Sequence, residues 1–332
     1  MAEYKGVMGY CEVSEGKLAS IATEILGCGR RLANDLGQEL SAVLVGSGVS
    51  NLAQEAIAFG ADKVYVVDDP LLQDYQTDSY VAVMEKVVKQ VMPQLLILGQ
   101  TSTGRDLAPR LAFRLETATS LDCLELAIDP KSKRLLQTKP VYGGNAQAIF
   151  TTESNPQIVT VRVKAMTPLE RDASRRGEVI TIAAGLDPSA IRTKVLAKVK
   201  EEVEGVKLED ATVIVSGGRG IGGADGFKQL EELAKILKGA VGASRPPCDN
   251  GWVPAGLQVG LTGKIVTPEL YIAVALSGSS QHMSGCSSAK NIVAINKDSE
   301  ANIVKRARFA VIGDWKKIIP AFTNKVKELV KA

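Results

Sequence analysis

Short apolar runs alternate with segments of helical periodicity along the first 120 or so residues. The apolar runs have the length and the β-branched content of buried strands, and the segments between them repeat apolar residues at helical spacing. The strands are KGVMGYCEV, LSAVLVG (40–46), KVYVVDD and LLILGQ (95–100), and helical periodicity covers 19–36, 51–59, 79–91 and the segment that begins at 101. Strand and helix in alternation predict a parallel sheet with right-handed crossover connections.

The pattern changes after residue 120. The stretches KRLLQTKPVYGGNAQAIFTT and PQIVTVRV alternate in polarity as extended strands do, and a Gly-Gly pair marks a turn. We expect these strands to extend or edge the same sheet.

A charged stretch with proline and glycine at its start separates two regions of the chain. It reads AAGLDPSAIRTKVLAKVKEEVEGVKLEDA and offers few apolar residues to a core. We interpret 184–210 as a connection between two α/β domains, with residues 1–205 in the first and 206–332 in the second. A chain of 332 residues is long enough for two such domains.

The second domain opens with a strand, a glycine-rich turn and a helix, in the stretch ATVIVSGGRGIGGADGFKQLEELAKIL. Gly218, Gly220 and Gly223 match the G-x-G-x-x-G spacing, which lets a backbone approach a pyrophosphate at a helix N-terminus. The alternative is a tight turn that packs a helix on a strand. The acidic residue that would hold an NAD ribose is missing about 20 residues later. Ser244 and Arg245 stand there, and Arg245 could meet a phosphate or lie against another cofactor ring.

Polar residues recur where strands of the second domain are expected to end. In parallel α/β sheets these ends face the ligand crevice. The residues are Thr262, Ser277, Gln281, His282, Asn296 and Asp314. His282, in SGSSQHMSGCSSAK, is the only histidine of the chain. A lone histidine is often a structural residue, and Asp314 could simply cap a helix beginning at Trp315, but six such positions favour a dinucleotide site.

Charge and cysteine content exclude several classes of function. The 40 basic and 37 acidic residues leave a formal net charge of +3, which does not indicate binding to nucleic acid or to an anionic membrane. The five cysteines form no CxxC pair, and with one histidine a metal site is not expected. No apolar run is long enough to span a bilayer, and no leader pattern is present, so we expect a cytoplasmic protein.

Several motifs of the second domain together resemble one family. SGGRG, VGASR, DNGWVP, QVGLTGKIVTPELYIAVALSG, SSQHMSG, AINKD and VIGDW resemble, in order and spacing, the FAD-binding domain of the electron transfer flavoprotein alpha subunit. The first domain resembles that family more loosely, through GQTSTGRDLAPRLAFRLE and YGGNAQAIF. Ser279 and Ser280 stand where many members have apolar residues, and Cys286 replaces a common methionine.

The resemblance implies a fold, a cofactor and a set of site residues. The first domain would resemble nucleotide hydrolases, hold no nucleotide and contact the beta subunit, while the second would be Rossmann-like and hold FAD. Thr262 would lie near flavin N5, His282 near O2, and Arg245 over the ring, and these three would tune the redox potential. The implied FAD-binding residues are Arg219, Ser244, Arg245, Gln258, Val259, Gly260, Leu261, Thr262, Ser277, Gly278, Ser279, Ser280, Gln281, His282, Asn296, Asp314 and Trp315.

The implied function is that of a heterodimeric electron carrier. With its beta subunit, the chain would shuttle single electrons between flavin partners and an acyl-CoA dehydrogenase such as butyryl-CoA dehydrogenase. A catalytic version adds a second FAD on the beta subunit and splits electron pairs from NADH between ferredoxin and that dehydrogenase. The alternative is an NADP-binding oxidoreductase module without flavin, in which Arg245 meets the 2′-phosphate.

Overall fold

The computed structural model describes residues 3–144, 146–197 and 206–331, which divide into two compact units. The first unit runs to Val141 and resumes at Gln147, and the second comprises Tyr142–Ala146 and the described residues after 205. Part of the expected connection, 198–205, lies outside the described residues.

The first unit alternates strands and helices up to residue 114 and is then mainly β. Its elements are β1 Val7–Tyr10, β2 Val13–Ser14, β3 Lys17–Leu18, α1 Ser20–Leu36, β4 Leu40–Gly46, α2 Ala53–Ala58, β5 Lys63–Asp68, α3 Thr77–Val91, β6 Leu95–Gly99, α4 Ser102–Arg114, β7 Thr119–Cys123, β8 Glu125–Ile128, β9 Leu135–Val141, β10 Ala146–Phe150, β11 Gln157–Val161 and β12 Glu178–Thr181.

Seven strands form a parallel sheet in the order β12-β5-β4-β1-β6-β11-β7, which confirms the expected architecture. Both faces of this sheet are covered, because alternate residues of one strand enter two different cores. In β6, Leu95 and Ile97 belong to one core, while Leu96 and Leu98 belong to the other. Two-sided burial of this kind explains why the strands are continuous apolar runs.

The expected position of the hairpin strands was wrong. The hairpin exists, with Tyr142–Gly144 as its turn, but β9 and β10 form a separate three-stranded sheet with β8. By contrast, β11 does join the parallel sheet, between β6 and β7, where all five of its residues are buried. Strand β10 exposes four of its five residues and β9 is mostly half-buried, whereas every residue of β11 is buried, so burial decides which strand enters the large sheet.

The second unit is a smaller α/β sandwich with a Rossmann-like sheet. Its elements are β13 Val213–Gly217, α5 Ala224–Ile236, β14 Ala240–Ala243, α6 Arg245–Asp249, β15 Leu270–Val274, α7 Ser280–Cys286, β16 Asn291–Asn296, α8 Asn302–Arg306, β17 Phe309–Ile312 and α9 Trp315–Lys331. All five strands are parallel, in the order β14-β13-β15-β16-β17.

This strand order determines where a ligand can lie. The chain leaves β13 for β14 on one side and then crosses to β15 on the other side, so the connections diverge above β13 and β15. Open α/β sheets bind ligands in the crevice at the carboxyl ends of the strands at such a switch point. Among the described residues, none of the helices has the length and apolar character needed to cross a membrane.

Candidate functional site

The glycine-rich turn after β13 lies directly beside the loop after β15. The Gly218 amide donates to the carbonyl oxygen of Val274 over 2.9 Å. A Cβ atom on Gly218 would come within 2.2 Å of the Ala275 carbonyl oxygen, so a side chain at this position would push the two loops apart. The switch point of the sheet is therefore closed at its base by backbone alone.

The same turn leaves the N-terminus of α5 open. Gly223 is the N-cap residue and provides no side-chain cap, and a Cβ there would meet no atom within 4 Å. The first amides of a helix lack partners within the helix and attract anions. Arg219 is exposed in the same turn. Packing thus explains Gly218, whereas the space at Gly223 is available to a ligand.

Ser244 and Arg245 follow β14, as expected from the sequence. Ser244 is the N-cap of α6 and is 8% exposed, but its hydroxyl makes no cap hydrogen bond. Arg245 is exposed, and its Nε pairs with Asp249 over 3.1 Å. Because exposed ion pairs contribute little free energy, this guanidinium can turn toward a ligand at small cost.

A turn from Gln258 to Lys264 packs on the N-terminal half of α7. Gln258 Nε2 donates to Thr262 Oγ1 over 2.9 Å, and the Leu261 amide donates to the Gln281 carbonyl over 2.7 Å. The expectation that Thr262 ends a strand was wrong. The segment instead pairs with the end of β14 through an isolated parallel bridge, Ala243 to Gln258, which brings the turn to the same edge of the sheet.

His282 lies inside the unit. It and Gln281 belong to α7 and do not end a strand, which corrects that expectation as well. His282 is 4% exposed, and its Nε2 lies 2.9 Å from the hydroxyl of Tyr271. Burial lowers the pKa of His282 to about 4, and a hydrogen-bonding interaction with the Val259 backbone opposes that shift. The imidazole is therefore neutral at pH 7 and acts as a hydrogen-bonding group without charge.

The loop between β15 and α7 is held in shape by amide side chains. Asn296, the last residue of β16, donates from Nδ2 to the Leu276 carbonyl over 2.6 Å. Asn302 donates in the same way to the Gly278 carbonyl over 2.6 Å. Ser277 is exposed, and Ser279 is the N-cap of α7, whose hydroxyl accepts from the His282 amide over 3.4 Å. These contacts assign Asn296 to positioning the loop.

Asp314 and Trp315 begin α9 and serve structural roles that the sequence left open. Asp314 Oδ1 accepts from the Lys316 amide over 3.0 Å, and Oδ2 pairs with Lys297 over 3.1 Å. The Lys316 amide is the main cause that lowers the pKa of Asp314. Trp315 is 5% exposed and donates from Nε1 to the Gly220 carbonyl over 3.1 Å. Both residues thus stabilise the edge of the crevice.

The carboxyl end of the sheet in the first unit is chemically different. A cavity of about 370 Å³ opens there, and the described residues that line it include Tyr10, Glu12, Glu15 and Tyr75 but neither lysine nor arginine. Glu12 accepts a hydrogen bond of 2.6 Å from Thr101, and burial raises the pKa of Glu12 to about 7. A cavity with two acidic residues, and with neither lysine nor arginine among the lining residues that the structure describes, is unsuited to phosphate, so we assign the candidate site to the second unit.

Sequence reasoning missed Tyr271. It lies in β15, in the run LYIAVAL, and is fully buried with only its hydroxyl to satisfy. A tyrosine in an otherwise apolar buried strand needs a hydrogen-bond partner for its hydroxyl. That requirement could have pointed to Tyr271 from the sequence.

Two family models match the chain. The electron transfer flavoprotein domain matches residues 7–187, and the electron transfer flavoprotein FAD-binding domain matches residues 207–287. The electron transfer flavoprotein subunit alpha of Thermoanaerobacterium thermosaccharolyticum is 47% identical over 330 residues, which are 99% of this chain and 100% of that protein. The same subunit of Megasphaera elsdenii is 44% identical over 331 residues, 99% of this chain and 98% of that protein.

A third relative has a different name. The acryloyl-CoA reductase electron transfer subunit beta of Anaerotignum propionicum is 36% identical over 353 residues, covering 98% of this chain and 96% of that protein. The alignments with these relatives cover both units, and each relative is similar in length to this chain.

The FAD-binding match makes FAD the cofactor of the second unit, and the geometry of that unit fits a dinucleotide. The open N-terminus of α5 suits a pyrophosphate. The buried His282 Nδ1 has no hydrogen bond of normal geometry among the described residues, and the Ser244 hydroxyl does not cap α6. An NADP module without flavin is not supported, because Arg245 lies within the FAD-binding match.

Proposed function

This chain belongs to the electron transfer flavoprotein family as an alpha subunit, and from that premise we propose that it passes single electrons between flavin partners through one FAD. The observation that supports this most directly is the contact of Gly218 with Val274, which closes the switch point of a parallel sheet with backbone atoms, while the space at Gly223 in the same turn stays open.

The phosphate and adenosine portion of FAD would lie along the glycine turn. Arg219 supplies a cation, the α5 N-terminus supplies amides, and the buried Ser244 supplies a hydroxyl without a cap bond. Asn296, Asp314 and Trp315 border this end by holding the neighbouring loop and turn. Their role toward FAD is to keep those backbone segments in position.

The flavin would lie between the Gln258–Thr262 turn and the segment Ser277–Gln281, which precedes α7 and includes the first two residues of that helix. FAD supplies the redox chemistry when bound, and this chain supplies hydrogen-bond donors around it. Thr262 is oriented by Gln258, and Gln258, Val259, Gly260 and Leu261 provide backbone on one side. Gly278, Ser279, Ser280 and Gln281 provide backbone on the other. Arg245 is the mobile cation of the group, since its only partner is the exposed Asp249 among the described residues.

The partner proteins follow from the family. Alpha subunits pair with beta subunits, and we assign that contact to the first unit. We also propose that an acyl-CoA dehydrogenase, such as butyryl-CoA dehydrogenase, exchanges electrons with the heterodimer. The name of the Anaerotignum propionicum relative, an electron transfer subunit of acryloyl-CoA reductase, supports an acyl-CoA enzyme as the partner.

A more specific version of this proposal includes electron bifurcation. In that version the beta subunit holds a second FAD, oxidises NADH and sends one electron to ferredoxin and the other through this chain to the dehydrogenase. A neutral His282 and a mobile Arg245 are compatible with this version, because both stabilise added electrons on a flavin without a permanent buried charge.

The test is to isolate this chain with the chain that accompanies it in its native host and to identify the nucleotides that denaturation releases. One FAD per alpha chain supports the carrier function, and a second FAD with reduction of the complex by NADH supports bifurcation. One FAD with AMP in the companion would restrict the chain to a simple carrier. NADP without flavin would overturn the proposal.

A further inference from the structure

Tyr271 and His282 form a buried polar pair beneath α7. The tyrosine is fully buried in β15, the histidine is 4% exposed, and the phenolic oxygen lies 2.9 Å from Nε2 of the imidazole. The core around them contains Val259, Met283 and Cys286. A hydrogen bond in such surroundings fixes the orientation of both rings, since the alternative is an unpaired buried polar group.

The chemistry of the two groups favours one direction of this hydrogen bond. Burial, the largest cause, raises the pKa of the Tyr271 phenol well above 10, so the phenol keeps its proton. A phenol hydroxyl is a stronger donor than the N–H of a neutral imidazole, and the unprotonated imidazole nitrogen is a stronger acceptor than a phenol oxygen. The 2.9 Å separation is therefore that of a phenol donating to Nε2.

A phenol that donates to Nε2 leaves the imidazole proton on Nδ1. The two ring nitrogens of a neutral histidine are distinct, and the hydrogen bond at one determines the protonation of the other. Nδ1 is the buried nitrogen without a hydrogen bond of normal geometry among the described residues, and the nearby Val259 belongs to the turn that we assign to the flavin.

We propose that Tyr271 is a positioning residue that holds His282 in a single neutral tautomer, with its proton on Nδ1 and available to the flavin. The tautomer follows from the pair itself, and only its action on the flavin rests on the proposed function.

The first experiment uses the unmodified FAD-loaded protein. Because His282 is the only histidine, ¹⁵N NMR of histidine-labelled alpha chain, bound to its unlabelled partner if that is needed, gives one imidazole signal set that needs no assignment. We expect one neutral tautomer with the proton on Nδ1 at pH 7. A proton on Nε2, or a mixture of the two tautomers, would overturn the proposal.

The second experiment compares Tyr271→Phe with a matched control, Tyr80→Phe. Tyr80 is also a buried tyrosine with one hydrogen bond, to the Leu72 carbonyl over 2.9 Å, but it lies in the first unit. We expect Tyr271→Phe to retain FAD, to mix the two tautomers and to lower the equilibrium constant for adding the first electron about tenfold, or about 59 mV. Tyr80→Phe should change neither quantity.

The outcomes separate this inference from the proposed function. A single tautomer in Tyr271→Phe would show that the phenol does not position the imidazole and would overturn the proposal. Mixed tautomers with unchanged potentials would support the positioning role and contradict the contact of His282 with the flavin. If Tyr271→Phe does not fold, the tautomer of the unmodified protein decides.

Discussion

The indole of Trp315, at the start of the last helix, contacts the glycine-rich turn that follows β13. Its Nε1 donates to the Gly220 carbonyl oxygen over 3.1 Å, and its ring packs into the core that also contains Ile221 and Phe227. The first residue of the last helix thus determines the position of the turn that follows the first strand of the second unit. A dinucleotide bound on this turn depends on a residue that need not touch it.

We expect Trp315→Phe to weaken FAD binding about fivefold, because a lost hydrogen bond of about 1 kcal/mol loosens the turn. Fluorescence titration of the FAD-free chain measures the dissociation constant. Trp252→Phe is the control, since Trp252 packs against the same core. Equal effects of the two substitutions would show that general packing, and not the bond to Gly220, supports binding.

Gly218 and Gly223 should respond differently to alanine. Gly218→Ala places a Cβ 2.2 Å from the Ala275 carbonyl, so we expect it to destabilise the second unit by about 2 kcal/mol. Gly223→Ala meets no atom within 4 Å and should leave stability unchanged while weakening FAD binding, because the methyl group enters the space proposed for the pyrophosphate.

One pair of fluorescent probes reports the stability of the second unit in both variants. The two tryptophans of the chain, Trp252 and Trp315, both belong to the second unit, so urea unfolding followed by their fluorescence reports that unit. Normal FAD affinity in Gly223→Ala would place the pyrophosphate elsewhere.

The sequence predicts the sheets well because burial on two faces produces continuous apolar strands. The run QIVTV of β11 is fully buried and forms an interior strand. Its composition already distinguished it from the exposed strand β10 of the hairpin. Which sheet the hairpin joins was not predictable, because local alternation does not specify a distant pairing partner.

The site was predictable in outline but not in orientation. Gln281 and His282 are neighbours in α7, yet the first is exposed and the second buried. Successive helical residues point about 100° apart, so one residue decides between the surface and the core. The partner of His282, Tyr271, is 11 positions away in another element, and spacing alone does not reveal such a pair.

In the first unit, Asp122 supports a buried cation. Arg162 is 4% exposed in its side chain and pairs with Asp122 over 2.5 Å. Removing the carboxylate takes two charge-assisted hydrogen bonds from a buried guanidinium, so we expect Asp122→Ala to lower the free energy of unfolding by about 3 kcal/mol. Glu39→Ala, which breaks the more exposed pair with Lys63, should change it by less than about 1 kcal/mol. Calorimetry of the full chain compares the two, and equal losses would contradict the burial argument.

His282 should make the second unit less stable in mild acid. In the unfolded chain the imidazole takes up a proton below its ordinary pKa of 6.5, whereas burial holds the pKa in the folded chain at about 4. The contribution of the neutral imidazole to stability is therefore complete above pH 6.5 and is lost as the pH falls toward 4. Linkage puts the loss between pH 7 and pH 5 at about 2 kcal/mol.

The comparison that isolates this effect is His282→Gln, in which a neutral amide can still accept from Tyr271 but does not titrate. Urea unfolding of the FAD-free chains, followed by tryptophan fluorescence at pH 7 and pH 5, should show the loss in the unmodified chain and not in the variant. Carboxylates that titrate in both chains cancel in the difference between them. Parallel losses in the two chains would mean that the imidazole is protonated equally in the folded and unfolded states, and a neutral buried donor would then be excluded.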